Sequence, residues 1–408
     1  MKELGPIPPY FAAIDGELAI SGRKASALVE EAGDTPLFVY SAEIIKLKIA
    51  ALRKVFPSRI ALHYAVKANP YKPILELMRS IVDGFDIASM GEFAEVAAAS
   101  IDPQQISFAG PGKRDSELET AIAAGITLNL ESENEARRAL AIADRRGIRP
   151  RLAIRVNPSF EIRGSGMKMG GGAKPFGVDA ERVPALAKEI IGAGAEWRGL
   201  HIFAGSQSLD AAALIEAQGL TLDLAAQLAE EIGRPLPALN LGGGFGIPYF
   251  PADRPLDIAP IGVALAERMQ VLKPPLQDTE FAMELGRYLV GEAGVYLTRI
   301  VDRKQSHGRT FLVTDGGLHH QLAASGNFGT VVRRNYPVAI ASHFDAEPEE
   351  EADVVGCLCT PLDRLADQAH LPHADVGDIV AVFCAGAYGL TASPERFLGH
   401  PPAREMLV

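Results

Sequence analysis

From about residue 36 to residue 290, short apolar runs alternate with longer amphipathic stretches. The runs are "LHYAVKA", "GFDIAS", "ISFAG", "TLNLES", "RLAIRVNP", "GLHIFAGS", "ALNLGGG" and "FAMELGR", eight in all. Each is nearly continuous in apolar character, the pattern of a strand covered on both faces, and such strands belong to parallel sheets. Between them lie alanine- and leucine-rich stretches such as "SMGEFAEVAAAS" and "RDSELETAIAAG". "SENEARRALAIADRRG" begins on serine, carries acids early and arginines late, and ends on glycine. That order suits the caps and dipole of a helix. Eight strand–helix units in about 250 residues predict a closed (β/α)8 barrel. A doubly wound open sheet is the alternative that periodicity leaves standing.

Beyond residue 290 the texture changes. "GVYLTRIVDRKQSHGRTFLVTDGG", "VVRRNYPVAIAS", "ADVVGCLCT" and "GDIVAVFCAGAY" are strand-like and separated by turns, with no helix of comparable length. The reading is a barrel over 36–290 and a mostly β domain built from 1–35 and 291–408. The acidic loop "FDAEPEEEAD" reads as solvated.

Composition narrows the function. A chain of 408 residues, 48% hydrophobic and 22% charged, has ample material for a globular core. A net charge of −11 argues against nucleic acid, which needs clustered Lys and Arg. No apolar run reaches the ~18 residues of a membrane span. The opening "MKELGPIPPYFAAIDGELAI" lacks the apolar core of a signal peptide. The three cysteines, Cys357, Cys359 and Cys384, are too few and too clustered for a disulfide framework, so the expected compartment is the cytoplasm.

In a parallel barrel the chemistry sits at the C-terminal strand ends. Those ends carry Lys67, Asp86 with Ser89, Gly110, Glu131, Arg155 with Asn157, Ser206, Gly242 to Gly244, and Glu284 with Arg287. For Lys67 alone the plain reading is a strand that ends in water. The sharper one is a partly desolvated amine that forms a Schiff base with an aldehyde. Glu284 at the end of an apolar strand needs a partner, and Arg287, three residues on, is the simplest. Successive glycines at 242–244 let backbone N–H groups approach a phosphate; as a dinucleotide fingerprint the spacing is wrong. Cys359 reads by default as a small buried apolar residue. Cys357-x-Cys359 has no second ligand pair, so no metal site is expected. His319 and His320 read as core or interface residues.

Taken in order, "YAVKANP", "FDIASMGE", "GLHIFAGSQ", "LNLGGGFGIPY", "ELGRYLV", "VGCLCTPLD" and "GAYG" resemble the motif set of the fold-type III pyridoxal-phosphate-dependent decarboxylases, the group of diaminopimelate and ornithine decarboxylases. The likeness runs from about residue 35 to 390 and is nearest to the branch found with siderophore or exosortase gene systems. It implies a barrel plus β domain, pyridoxal phosphate as cofactor, and a homodimer with shared sites. Lys67 matches the lysine that carries the cofactor, and Ser206, Arg287 and Tyr388 join the glycines as phosphate ligands. Asp86, Arg155 and Gly286 are placed with them around the cofactor. Glu284 matches the glutamate that bonds the protonated pyridine nitrogen and keeps the ring a strong electron sink; racemases of the same fold use a weaker sink there. Cys359 matches a cysteine from the neighbouring subunit that steers protonation of the carbanion, and Asp363 follows at the family spacing.

The chain also departs from that pattern. His201 keeps the first position of the usual His-x-His, but Phe203 replaces the second; a phenyl ring stacks but moves no proton. Thr360 stands where diaminopimelate decarboxylases carry an acid for the substrate's distal end, and "LTASPERFLGH" lacks their Tyr-Asn pair. The glycine-rich "GSGMKMGGGAKPFG" reads as a mobile lid. Arg333 and Arg334 are candidates to meet a substrate carboxylate or phosphate. The expected function is decarboxylation of an α-amino acid or derivative other than free diaminopimelate, free or carrier-bound. The alternatives are a same-fold racemase and a non-catalytic cofactor-binding homologue.

Overall fold

The computed structural model describes residues 2–162, 166–168, 170–326 and 334–408. Its contacts divide the chain into two compact units. One comprises 49–246 and 256–286; the other comprises 1–48, 247–255 and 287–408.

The first unit is the barrel. Its strands are β1 (Ile60–Ala65), β2 (Gly84–Ile87), β3 (Ile106–Phe108), β4 (Thr127–Leu130), β5 (Arg151–Asn157), β6 (Glu196–Ile202), β7 (Ala238–Asn240) and β8 (Glu280–Leu285). Each coincides with one of the eight apolar runs. All pair in parallel, and the pairing of β4 with β5 and of β8 with β1 closes the ring, which excludes the open sheet. Alternate residues face the surrounding helices, and Leu62, Tyr64, Phe85, Phe108 and Leu128 are buried there.

Helix ends follow the sequence signals. Ser89 and Ser132 accept the backbone N–H of Glu92 and Glu135, each at 3.1 Å. Gly147, with φ of 65°, closes the helix Glu133–Arg146 in the left-handed conformation.

A buried ion pair braces the loops after β3 and β4. Lys113 Nζ donates to Glu135 Oε1 at 2.8 Å and to the carbonyls of Gly110 and Asn129 at 2.8 and 2.9 Å. The two side chains are 1% and 2% exposed. Burial lowers the lysine pKa and raises that of Glu135, against the pull of the pair. Lys113→Met, which strands the carboxylate, is expected to cost about 3–5 kcal/mol in denaturant unfolding, with partial recovery in Lys113→Met/Glu135→Leu. Equal stability of the single variant and the parent would contradict this.

The second unit is a β structure. The strand Gly294–Ser306 pairs antiparallel with Leu37–Tyr40, Arg309–Thr314 and Ile379–Val382. Glu350–Val355 lies parallel to Arg309–Thr314, and Arg364–Leu371 pairs with it. Arg404–Leu407 runs parallel to Leu37–Tyr40. Leu37, Val39, Val295, Leu297 and Phe383 anchor its core. Because Leu37–Tyr40 pairs inside this sheet, the β unit takes in residues that the sequence reading gave to the barrel. The acidic loop also differs from expectation. Its second half enters a strand, where Arg303 grips Glu350 with two bonds of 2.7 Å and Arg309 grips the buried Asp353.

Among the described residues, no helix is long and apolar enough to cross a membrane.

Candidate active site

β1 stops at Ala65, and a single 3-10 turn, Val66–Ala68, carries Lys67 beyond it. The turn is pinned from behind. Tyr64 donates its hydroxyl to the Asn69 carbonyl at 2.8 Å, and Asn69 Oδ1 accepts Tyr71 N–H at 3.0 Å. Lys67 is partly desolvated, with 41% of its side chain exposed. Its Nζ donates to Glu284 Oε1 at 3.2 Å and lies 5.3 Å from the centroid of the Phe203 ring.

Glu284, near the end of β8, is buried, and His201 Nε2 meets its second oxygen at 3.0 Å. Burial opposes ionisation, but the Lys67 charge and the His201 contact outweigh it and hold the carboxyl well below its ordinary range. The partners of Glu284 are thus Lys67 and His201, not the expected Arg287. A permanently charged carboxylate results, suited to a cationic N–H.

The loop after β7 tolerates nothing larger than glycine. A Cβ on Gly243 would overlap the Glu284 carbonyl; Gly244 has φ of +92°, and a Cβ there would lie 2.6 Å from the Gly205 carbonyl. Backbone bonds fix the loop: Glu284 N to Gly242 O at 2.8 Å and Ser208 N to Gly244 O at 2.9 Å. Gly205 and Ser206 follow Phe203 by two and three residues, so one corner holds Ser206, the glycines and an aromatic face.

On the other side of the ring, Asp86 accepts the Ser107 hydroxyl and lies 3.2 Å from His63 Nδ1. Arg155 donates to Glu131 Oε1 at 2.9 Å and stacks on Phe176, 5.0 Å from its centroid. Glu131 also accepts the N–H of Gly110 and Gly177 at 2.6 and 2.7 Å. Burial works against its charge, yet Arg155, Lys113 and the two amides hold its pKa below normal. The glycine-rich segment 164–177 lies partly outside the described residues, and Gly177 at its end is anchored by this carboxylate.

Sequence reasoning gave no role to His63 or Glu92. Glu92 accepts Ala88 N–H at 2.7 Å, one residue before Ser89, whose hydroxyl accepts Glu92 N–H. Burial pushes its carboxyl up while Ala88 and Lys67 pull it down. The spacing of "SMGE" is that of a capping box, though the carboxylate bonds the amide one residue earlier.

The β unit assembles the remaining candidates. Arg287 donates to the Tyr249 hydroxyl at 2.7 Å and stacks over Tyr388, 4.6 Å from its centroid. Burial pushes the Tyr249 hydroxyl up to about 12. Tyr388 sits at φ of 54°, in the left-handed region that costs a bulky residue strain. Cys359 is exposed rather than buried. Asp363, read as a substrate contact, is 3% exposed, and its oxygens accept Leu318 and Leu358 N–H at 2.7 and 2.8 Å. Its carboxylate shapes the turn that presents Cys359 and Thr360. Arg334 stacks on Phe250, 3.7 Å from its centroid, and Arg333 lies outside the described residues. His319 and His320 are fully buried, and His320 bonds Tyr296 and the Pro401 carbonyl, as core residues do.

An amine at a strand tip, a cradle that any Cβ would fill and a buried ionised carboxylate fit a phosphorylated pyridine aldehyde. The family model described as "Pyridoxal-dependent decarboxylase, pyridoxal binding domain" matches residues 42–291. The chain is 35% identical over 380 residues to L-glutamyl-[BtrI acyl-carrier protein] decarboxylase of Niallia circulans, covering 92% of this chain and 89% of that one. It is 28% identical over 379 residues to 2-[(L-alanin-3-ylcarbamoyl)methyl]-2-hydroxybutanedioate decarboxylase of Staphylococcus aureus, covering 89% and 92%. Diaminopimelate decarboxylase of M. jannaschii, solved with L-lysine, superposes with a TM-score of 0.87 at 26% identity over 98% of this chain and 93% of that one. The chain belongs to the pyridoxal-dependent decarboxylases, fold-type III enzymes that use pyridoxal phosphate to remove a carboxylate from an amino acid or its derivative.

Proposed function

We propose that this enzyme decarboxylates an amino-acid derivative whose distal end carries no free ammonium, as in a substrate joined to a carrier, and that it acts as a cytoplasmic homodimer. One observation carries the reading. The turn beside Cys359 offers the neutral hydroxyl of Thr360, while the turn's one acid, Asp363, accepts two backbone amides. A distal ammonium there would lose a charge-assisted hydrogen bond worth ~1.5–3 kcal/mol, roughly ten- to a hundredfold in rate. The carrier-bound substrate named for the Niallia circulans relative supports the same reading.

Bound pyridoxal phosphate supplies the electron sink for the pair left by departing CO2. Lys67 would hold the cofactor at its aldehyde, and Glu284 would hold the pyridine N–H through its fixed charge. Gly242 to Gly244, Ser206, Arg287 and Tyr388 bind the phosphate. Phe203, Asp86, Arg155 and Gly286 would line the rest of the cofactor site. Arg333 and Arg334 serve a substrate anion. Cys359 holds the proton that the α-carbon receives.

A panel of free, N-acylated and carrier-bound amino acids assayed for CO2 is expected to favour the derivatised forms. Thr360→Glu is expected to raise turnover of a diamino acid above the parent. Turnover of free diaminopimelate at the rate of a dedicated enzyme would overturn the assignment. For shared sites, mixing Lys67→Ala and Cys359→Ala chains should restore activity, since one site of each heterodimer is intact. No recovery after verified subunit exchange would contradict sharing.

A further inference from the structure

The interior of a (β/α)8 barrel is ordinarily filled by layers of bulky branched side chains. Here the axis is lined by small and polar residues, including Ala61, Ser107, Asn129, Ala153 and Ala282, around a cavity of about 280 Å3. Asp83, Arg198 and Glu280, at or near the strand starts, also line it, so it opens toward the face opposite Lys67. A space of this size with several polar partners holds water.

The cavity ends just short of the site. On β8 its wall reaches Ala282 but not Glu284, and on β1 it reaches His63 but not Ala65. His63 and Glu284 are register partners across the β1–β8 pairing. Although His63 lies inside the barrel, 21% of its side chain is exposed, whereas Glu284 is 5% exposed. A chain of polar groups leads inward from the wall. Asn129 Nδ2 donates to Ser107 Oγ at 3.1 Å, Ser107 donates to Asp86, and His63 Nδ1 lies 3.2 Å from the second Asp86 oxygen. Asp86 is the register partner of Ala65, two residues before Lys67. The ring's placement depends on Gly84, where a Cβ would come within 2.5 Å of Nε2. The charged groups facing His63 are Asp86 and Asp83 beside it and Glu284 on β8; burial disfavours the imidazolium, and these carboxylates outweigh that.

Decarboxylation consumes a proton. R–CH(NH3+)–COO− plus H+ gives R–CH2–NH3+ plus CO2: the electron pair of the broken C–C bond takes a proton from solvent to form the new C–H bond. That proton must reach the C-terminal strand ends, where Lys67 stands.

We propose that the barrel axis is the proton intake of this enzyme, a water-filled shaft from the N-terminal mouth whose inner protein link is His63 with Asp86. His63 takes a proton from shaft water at Nε2 and passes it through Nδ1 to the facing Asp86 oxygen, which gives it up to water at the site, from which the Cys359 thiol recovers the proton it hands to the α-carbon. His63 acts through Asp86, as a positioning and relay residue.

Access is tested first, independently of activity. In the Ala282→Cys holoenzyme, a small charged methanethiosulfonate is expected to modify position 282, mapped by mass spectrometry, while buried Cys384 stays unmodified. Position 282 as unreactive as Cys384 would overturn the shaft. For the relay, His63→Gln is expected to lower kcat about tenfold and to change its solvent deuterium isotope effect, with KM and the absorbance of the bound cofactor preserved. Imidazole should restore part of the loss in His63→Ala. Unchanged kcat and isotope effect in folded His63→Gln would overturn the relay. If the histidine variants fail to fold, Ala282→Leu plugs the shaft from a wall residue with no polar side chain; lowered kcat at constant KM supports the proposal, and parental kcat overturns it.

Discussion

Lys67→Ala is expected to lower CO2 release by about four powers of ten, or about 5.4 kcal/mol of transition-state stabilisation. The size reflects loss of a covalent route, because alanine cannot bind the cofactor's aldehyde or exchange with a substrate amine. The structure makes the test clean. Lys67 lies in a turn outside the barrel wall, with much of its side chain in solvent, and its removal leaves Glu284 bonded to His201. Folding stability should therefore stay near that of the parent. Borohydride treatment followed by peptide mass analysis should find the reduced cofactor on Lys67 in the parent and on no residue of the variant. Residual CO2 release within tenfold of the parent, or an adduct on another lysine, would sink the assignment.

Glu284→Gln is expected to cost about a hundred- to a thousandfold in CO2 release, or about 3–4 kcal/mol. Glutamine preserves shape and one hydrogen bond but cannot carry the charge that Lys67 and His201 hold in place. The pH dependence separates this from a mere structural lesion. A carboxyl held below its ordinary 4.5 contributes its stabilisation above that value and loses it only as pH falls through the lower folded value. Between pH 6 and 9 the parent's Glu284 is ionised throughout, so the variant's deficit should be the same factor across that range. A deficit that vanishes at either end would show that some other group sets the effect. The stability cost should be modest, since water can solvate the released ammonium of Lys67.

Much of this was legible in the chain. The eight barrel strands announced themselves because each is a short, mainly apolar run set between helix-like stretches, some with clear caps, as with Ser132 and Gly147 around Glu133–Arg146. Arg364–Leu371 is absent from the strand-like runs for the opposite reason: "RLADQAHL" mixes charges with apolar residues, and Arg364 pairs with Asp367 and Asp353 beside Arg309. Charges cancelled across strands leave no mark on a hydropathy pattern. The same holds for the second half of the acidic loop. Leu37–Tyr40 is an apolar strand that could have joined either unit, and only its pairing partners decide. At the site, Lys67 and the glycines stood out by residue type and position. The link between Glu284 and His201, 83 residues apart, depends on strand register, as does the facing of His63 and Asp86. Neighbours in the chain, such as Arg287 for Glu284, are the natural guess when register is unknown.

The pairing of Arg404–Leu407 with Leu37–Tyr40 has a consequence for how the molecule is made. Leu37–Tyr40 is made before the barrel strands, but its two neighbours, Gly294–Leu297 and Arg404–Leu407, are made after them. The barrel strands all lie between them in the chain and can pair while synthesis continues. The β unit, by contrast, holds an apolar strand with no partner until Gly294–Leu297 has been made, and with its second edge open until Arg404–Leu407 follows. That strand is then an edge open to other chains. Loss of Arg404–Leu407 should act on yield and aggregation before it acts on chemistry.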